Sequence, residues 1–324
     1  VSRFWEKRWY GSGGGGLLEA PLWLVSRGYG AVVAVRSHLV RPKRIEGARV
    51  VSVGNLTVGG SGKTPVVIFL AGLAAQAGRR VAVLSRGFGR RSGADVRFDA
   101  ANLLSWRAVG DEPRLIAQRC PKASVWVGRD RAHLAAAARD AGAELLVLDD
   151  GMQHRRLARD VEVVVVDAVA GFGNGQLLPA GPLREPISQL SRATFVWLRQ
   201  TGPSVAGLEQ LLGQVKRVVS RPVAQVLGGT IAGKQVVALA GLARPSAFTR
   251  TLMSLGATVV AERYFADHHP FTPGQLDEVR SLGVVIVTTE KDAQRLPPGY
   301  PALVVRLEEE LVSGRELLAE HLGL

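Results

Sequence analysis

Cysteine is all but missing: Cys120 stands alone among 324 residues. That excludes an intramolecular disulfide and a cysteine-rich zinc site, and it reads as a chain kept in a reducing compartment, with the cytoplasm fitting best. Long uncharged apolar runs are missing too. Residues 17–40 are rich in Leu, Val, Ala and Trp, but Glu19, Arg27 and Arg36 interrupt them, which argues against a membrane-spanning helix. No small-residue cleavage pattern follows a basic start, so a signal peptide is not expected either. Acidic residues are in the minority. With 28 Asp and Glu against 41 Lys and Arg, the formal charge is +13, which implies a polyanionic partner: nucleic acid, anionic lipid or a phosphorylated substrate. Zinc-finger, RRM-type and KH-type signatures are absent and the cations are scattered, so no nucleic acid partner is expected. Internal repeats are absent, and the stretch from Gly11 to Gly16 is the one low-complexity tract.

What is present begins with apolar periodicity. The 47% hydrophobic content suffices for a sizeable core. Short Val-rich runs at 49–53, 80–84, 123–127, 144–148, 161–166 and 193–198 alternate with Ala- and Leu-rich segments, the signature of βαβ units. Val163 to Val166 are apolar at every position, as in strands covered on both faces. The fold class expected is α/β, a P-loop NTPase-like doubly wound, mostly parallel sheet. A second series at 235–240, 259–263, 284–288 and 303–306 predicts a smaller α/β lobe. The organisation expected is a tether and membrane-associated helix over 1–47, a larger α/β domain over 48–232 and the smaller lobe over 233–324. Residues Leu18, Leu22, Val25, Tyr29, Val32, Val33 and Val40 fall on one helical stripe, with Arg36 intruding on it. With Lys7, Arg8, Arg41, Lys43 and Arg44 nearby, an interfacial helix on an anionic bilayer is one reading and a helix packed on the core is the other.

The strand at 50–53 runs into Gly54-Asn-Leu-Thr-Val-Gly59-Gly60-Ser61-Gly62-Lys63-Thr64-Pro65 and then a helix-like segment. Strand, glycine loop and helix in this order make a phosphate cradle. Backbone N–H groups and the helix N-terminus face the phosphates, Lys63 reaches the β/γ phosphates and the Thr64 hydroxyl suits magnesium. Thr57 stands where the strict pattern has glycine, but the Gly-Gly-x-Gly-Lys-Thr variant is specific. Such a loop also needs an acid at a neighbouring strand end. The run Leu145-Leu-Val-Leu-Asp149-Asp150-Gly151-Met-Gln153-His154 supplies two, against the bland reading of a turn. Asp111 and Glu112 open a predicted helix, where N-capping is the ordinary explanation. Asp267-His268-His269-Pro270 reads equally as a turn or a core histidine.

Together with Ser85-Arg-Gly-Phe-Gly-Arg90, Gly171-Phe-Gly-Asn174-Gly, Leu178-Pro-Ala-Gly-Pro-Leu-Arg184-Glu-Pro186 and Thr288-Thr-Glu-Lys-Asp292, these motifs make the chain resemble the tetraacyldisaccharide 4′-kinase family, the lipid A 4′-kinases, over essentially its whole length. The resemblance implies transfer of the ATP γ-phosphoryl group to the 4′-hydroxyl of a tetraacylated glucosamine disaccharide 1-phosphate, a lipid substrate. The place implied is the cytoplasmic face of a Gram-negative inner membrane, and no obligate protein partner is inferred. ATP is expected on Thr57, Val58, Gly59, Gly60, Ser61, Gly62, Lys63 and Thr64, and Mg2+ on Thr64, Asp149 and Asp150. The resemblance further implies an acid/base dyad of Asp111 with His268. Arg184, with Lys63, is the expected charge clamp, Asn174 a phosphate contact, and Glu112 and Gln153 orienting groups. Phe88 replaces a family tyrosine, leaving stacking but no hydroxyl there. Arg86 and Arg90 are further candidate phosphate contacts. A P-loop regulatory or scaffold ATPase that phosphorylates nothing is the alternative reading.

Overall fold

The computed structural model describes residues 3–11 and 19–323; Leu18 and the glycines from 13 to 16 lie outside them. Twelve strands form one sheet: β1 Arg49–Gly54, β2 Val81–Ser85, β3 Val96–Phe98, β4 Ser124–Val127, β5 Leu145–Asp149 and β6 Val161–Asp167, then β7 Phe195–Arg199, β8 Arg217–Leu227, β9 Gln235–Gly241, β10 Thr258–Phe265, β11 Val285–Thr289 and β12 Ala302–Ser313. Their order is β10-β9-β11-β12-β8-β7-β6-β1-β5-β2-β4-β3. The strands β5, β6 and β7 are buried at every position, as expected where helices cover both faces. Core clusters accordingly lie on both faces, one centred on Val66, Leu70 and Ile116 and the other on Leu134, Leu146 and Leu148.

The sheet has two halves, parallel but for the edge strand β3, which runs antiparallel to β4, and they are joined at a second antiparallel pair, β8 with β12. The strand β8 escapes the apolar pattern because Arg217, Ser220, Arg221, Pro222 and Gln225 interrupt it. Its partner is also longer than its apolar core suggests, running on through Glu308, Glu309 and Glu310. Neighbouring strands twist by about 20–25°. Over the five pairings from β1 to β11 this accumulates to roughly 100–125°, and contacts such as Arg244 to the Gly60 carbonyl and His268 to Asp111 bring the two halves together. The chain end does not stay with the second half. Leu318 and Leu322 of the helix Arg315–Leu322 sit in the core of the first half, so a boundary at 233 assigns that helix to the wrong side.

The helix Glu19–Leu39 divides the predicted stripe. Ser26 is buried, donates to the Leu22 and Leu177 carbonyls and accepts from the Ala180 N–H, while the Tyr29 hydroxyl donates to the Arg184 carbonyl. Leu22 and Val33 share this inward face by helical spacing. Val25 and Val32 instead face solvent with Leu24, Val35 and Leu39. The stripe fails because the helix is apolar nearly all round, so periodicity alone does not choose its inner face. Among the described residues, no helix is long and apolar enough to cross a membrane.

Candidate active site

The end of β1 delivers the glycine loop to the helix Lys63–Gln76, whose N-cap is Gly62 at φ 82. This is the left-handed region that glycine tolerates and other residues avoid. Asn55, missed from the sequence, braces the loop. Its amide donates to Ser61 Oγ at 2.8 Å and Thr57 Oγ1 at 3.1 Å, and its carbonyl accepts from Lys63 Nζ at 3.2 Å. Thr57 and Val58 are held by residues 182–183: Thr57 bridges to Leu183, and the Val58 N–H donates to the Pro182 carbonyl at 2.8 Å.

The strand β5, directly beside β1, ends at Asp149. Its carboxylate is buried and accepts from Ser85 Oγ at 3.1 Å. Burial, reinforced by the charges of Glu112 and Asp150, pushes this carboxyl up to about 7. Asp150 differs. Burial would raise it, but Lys63 at 3.5 Å and Arg184 outweigh that and hold it well below the usual carboxylate range. Arg184 Nη1 donates to both Asp150 oxygens, at 3.0 and 2.9 Å, and to Gln153 Oε1 at 3.1 Å. Gln153 in turn donates to the Asn55 carbonyl. The predicted Lys63, Asp150, Gln153 and Arg184 thus form one connected group. Asn174 does not join it: its side chain donates to the Ala180 carbonyl and accepts from the Gln176 N–H, bracing its own loop.

Asp111 is the first residue of the helix Asp111–Arg119, but the N-cap is Gly110, so capping does not explain the carboxylate. It is 2% exposed, and His268 Nδ1 lies 2.9 and 3.0 Å from its two oxygens. Buried Arg295 stands 3.3 Å from the same carboxylate. Burial opposes ionisation of Asp111, but the His268 hydrogen bond and the charges of Lys291, His268 and Arg295 outweigh it and lower its pKa. Burial likewise works against protonated His268, and its bond to Asp111 and the charges of Asp111 and Asp267 outweigh burial and raise it. Glu112 is pushed up, first by burial, with Lys291 3.9 Å away. Lys291 also pairs with Asp267. Among the described residues, Asp150 (φ 51) and His268 (φ 60) are the two non-glycine positions with positive φ. Strained backbone of this kind collects at functional sites.

Phe88 is exposed, its ring centroid 4.9 Å from that of His268 and tilted by 50°. Arg90 is spent on carbonyls of its own loop and of Val127, while Arg86 is exposed. Sequence reasoning also missed three buried or half-buried arginines. Arg131 lies close enough to Asp149 and Asp150 to interact with both charges. Arg244 donates to the Gly60 carbonyl and to Asp167. Arg199 reaches the Ser61 carbonyl. Single arginines from distant segments carry no local spacing by which to find them.

Magnesium fits this donor set. The ion takes hard oxygen ligands, one or two carboxylates plus phosphate and water, and the Asp149 carboxyl is a buried acid pressed by two like charges. Asp150 is the weaker candidate because Arg184 and Lys63 already occupy its oxygens. Among the described residues, no ready-made cluster of three or more His, Cys, Asp or Glu side chains is present that would favour a different metal.

Residues 18–322 match the family described as Tetraacyldisaccharide-1-P 4′-kinase. The chain belongs to that family. A tetraacyldisaccharide 4′-kinase from Anaeromyxobacter sp. (strain Fw109-5) is 46% identical over 98% of this chain and 95% of its own. One from Rhodospirillum centenum is 45% identical over 79% and 78%. A crystal structure of LpxK from Aquifex aeolicus in complex with ATP is 29% identical, with a TM-score of 0.75 over 94% of this chain and 99% of that one. The protein is therefore an ATP-dependent kinase acting in lipid A biosynthesis, and the switch-ATPase reading is not favoured.

Proposed function

We propose that this kinase phosphorylates the 4′-hydroxyl of a tetraacylated glucosamine disaccharide 1-phosphate with the residues gathered in this cleft. The observation carrying the reading is the Asp111–His268 pair, formed between the two halves of the sheet, with Glu112 beside Asp111 close enough to interact with the charges of Lys63 and Asp149. Residues 57–64 hold the nucleotide, with Lys63 beside the β/γ phosphates. Thr64 and Asp149 would hold Mg2+, which would supply neutralisation of phosphate charge. Asp111 orients the imidazole through Nδ1, leaving Nε2 as the nitrogen that can take the hydroxyl proton as the bond to phosphorus forms. Arg184 moves from Asp150 to charge on the transferring group, for which its planar fork is suited. Asp150, once released, would be a second carboxylate able to hold the metal beside Asp149.

The two halves act as lobes joined at β8 and β12, and the closed arrangement is the one that holds His268 on Asp111. The outer face of the helix Glu19–Leu39 lies on the bilayer that holds the four acyl chains, at the cytoplasmic face of the inner membrane, with Arg41, Lys43 and Arg44 toward anionic headgroups. The dyad is tested by comparing Asp111→Ala, His268→Ala and the double variant in detergent micelles. Each single should lower kcat by roughly 10²- to 10⁴-fold, and the double should be little worse than the worse single. Multiplicative losses would contradict a cooperating pair, and an unchanged kcat would remove that residue from the mechanism.

A further inference from the structure

One buried ion pair reaches the nucleotide loop from beneath, outside the groups assigned to chemistry. Arg199 ends β7 and Glu309 belongs to β12; their side chains are 5% and 0% exposed. Arg199 Nε and Nη2 donate to Glu309 Oε1 at 2.9 and 2.6 Å. Glu309 Oε2 accepts from Ser220 Oγ at 2.5 Å, and Ser220 Oγ accepts from Trp197 Nε1 at 2.7 Å. The remaining nitrogen, Arg199 Nη1, donates to the Ser61 carbonyl at 3.3 Å. A buried pair of this kind is weak evidence for stability, because well-packed apolar residues often replace one without loss. The page offers another reason for it. The guanidinium fills the space under Gly62, where an added Cβ would stand 2.0 Å from Nη1.

We infer that Arg199 is a positioning residue of the kinase, fixing the Ser61–Gly62 peptide in its phosphate-receiving orientation, and that Glu309 holds it there. The peptide is trans, so its C=O and N–H point to opposite sides. Anchoring the carbonyl on Arg199 turns the Gly62 N–H away from the guanidinium, toward the face of the loop that meets phosphate. Without the anchor the glycine peptide is free to rotate, and binding must then pay for ordering it. The inference rests on residues 57–64 being the nucleotide loop, and Glu309 ties that loop to the strand pair that joins the two halves.

The test uses the full chain with Arg199→Met, Arg199→Lys and the double variant Arg199→Met/Glu309→Leu. The double variant removes both buried charges, so its thermal midpoint should return close to wild type, whereas Arg199→Met leaves Glu309 stranded and is strongly destabilised. The KM for ATP should nevertheless rise roughly tenfold to a hundredfold in the double variant, the worth of one charged hydrogen bond, with the KM for lipid unchanged. Recovery of both stability and the wild-type KM for ATP would overturn the inference and leave the pair structural. If the double variant does not fold, Arg199→Lys decides: it keeps a charge for Glu309, but one nitrogen cannot occupy both ends of the fork. A folded Arg199→Lys with wild-type KM for ATP overturns it equally. Lys63→Ala runs alongside, because full ATP binding and transfer in that variant would sink the loop assignment itself.

Discussion

Replacing Leu24, Val32 and Val35 by serine removes the middle of the outward face of the helix Glu19–Leu39 without touching its contacts to residues 177–184. Leu24 is 67% exposed, Val32 67% and Val35 60%, so roughly two-thirds of each side chain's transfer free energy is still available to a bilayer. Full burial of such a side chain is worth about 1.5–3 kcal/mol, which gives about 1–2 kcal/mol each and about 3–6 kcal/mol for the three. That corresponds to roughly two to four powers of ten in partitioning. Arg41, Lys43 and Arg44 are exposed and add about 1 kcal/mol each near an anionic surface, a part that salt screens. Wild type should therefore sediment with anionic vesicles at both low and high salt. The triple variant should sediment only weakly at low salt and not at all at high salt. Its ATP binding and its transfer to lipid in micelles should hold, while transfer to vesicle-embedded lipid falls. The control is Leu22→Ser with Val33→Ser on the inner face, which should lower thermal stability instead. A triple variant that still sediments at high salt, or that loses ATP binding, would refute the assignment of this face to the membrane.

Three further outcomes follow from the site. Lys63→Ala should reduce transfer by on the order of 10²-fold or more at saturating ATP, because the charge beside the β/γ phosphates is lost from a step that is largely electrostatic; near-full activity in a steady-state assay would remove Lys63. The imidazole must be neutral to accept a proton, and His268 is raised above 6.5, so at Mg2+ kept saturating throughout the acid limb of the kcat profile should lie above pH 6.5. In Asp111→Asn burial dominates and the limb should move to lower pH; an unmoved limb would show that another group titrates. The same pairing contributes stability that is fully present below about pH 6.5 and is lost as pH rises through the raised His268 value. Asp149, pushed up to about 7, is protonated below that pH and cannot then bind metal. Titration of the apo protein with Mg2+ should show affinity falling about tenfold per pH unit below 7 and flat above it, and Asp149→Asn should abolish the dependence; pH-independent binding in wild type would contradict the ligand assignment.

The two series of strands, the glycine loop and the acids at the end of β5 were legible because each is local. Periodicity marks a strand, and a run of glycines before Lys63 and Thr64 marks the cradle. The joint between the halves was not legible, since β8 and the far end of β12 are built from polar residues whose ladder depends on each other. The pairing of Asp111 with His268 was expected only through family resemblance; locally, Asp111 reads as a cap and His268 as a turn. The outer and inner faces of the helix Glu19–Leu39 were confused because Ser26, Tyr29 and Gly30, and not its largest apolar residues, make the inward contact. Asn174 lay within a glycine-rich segment that suggested phosphate, but its amide is consumed by loop carbonyl and N–H groups. Arg199 and Arg244 approach the loop from β7 and from the second half, and only the folded chain brings them there.

The central claim is that this cleft moves the γ-phosphoryl group to a lipid. The most direct measurement is incubation of the full chain with γ-labelled ATP, Mg2+ and tetraacyl disaccharide 1-phosphate in detergent micelles, with label followed into lipid and free phosphate. Label should appear at the 4′ position of the lipid with wild type and fall together in Lys63→Ala, Asp111→Ala and His268→Ala. Label released only as free phosphate, or lipid labelling undiminished in those variants, would contradict it.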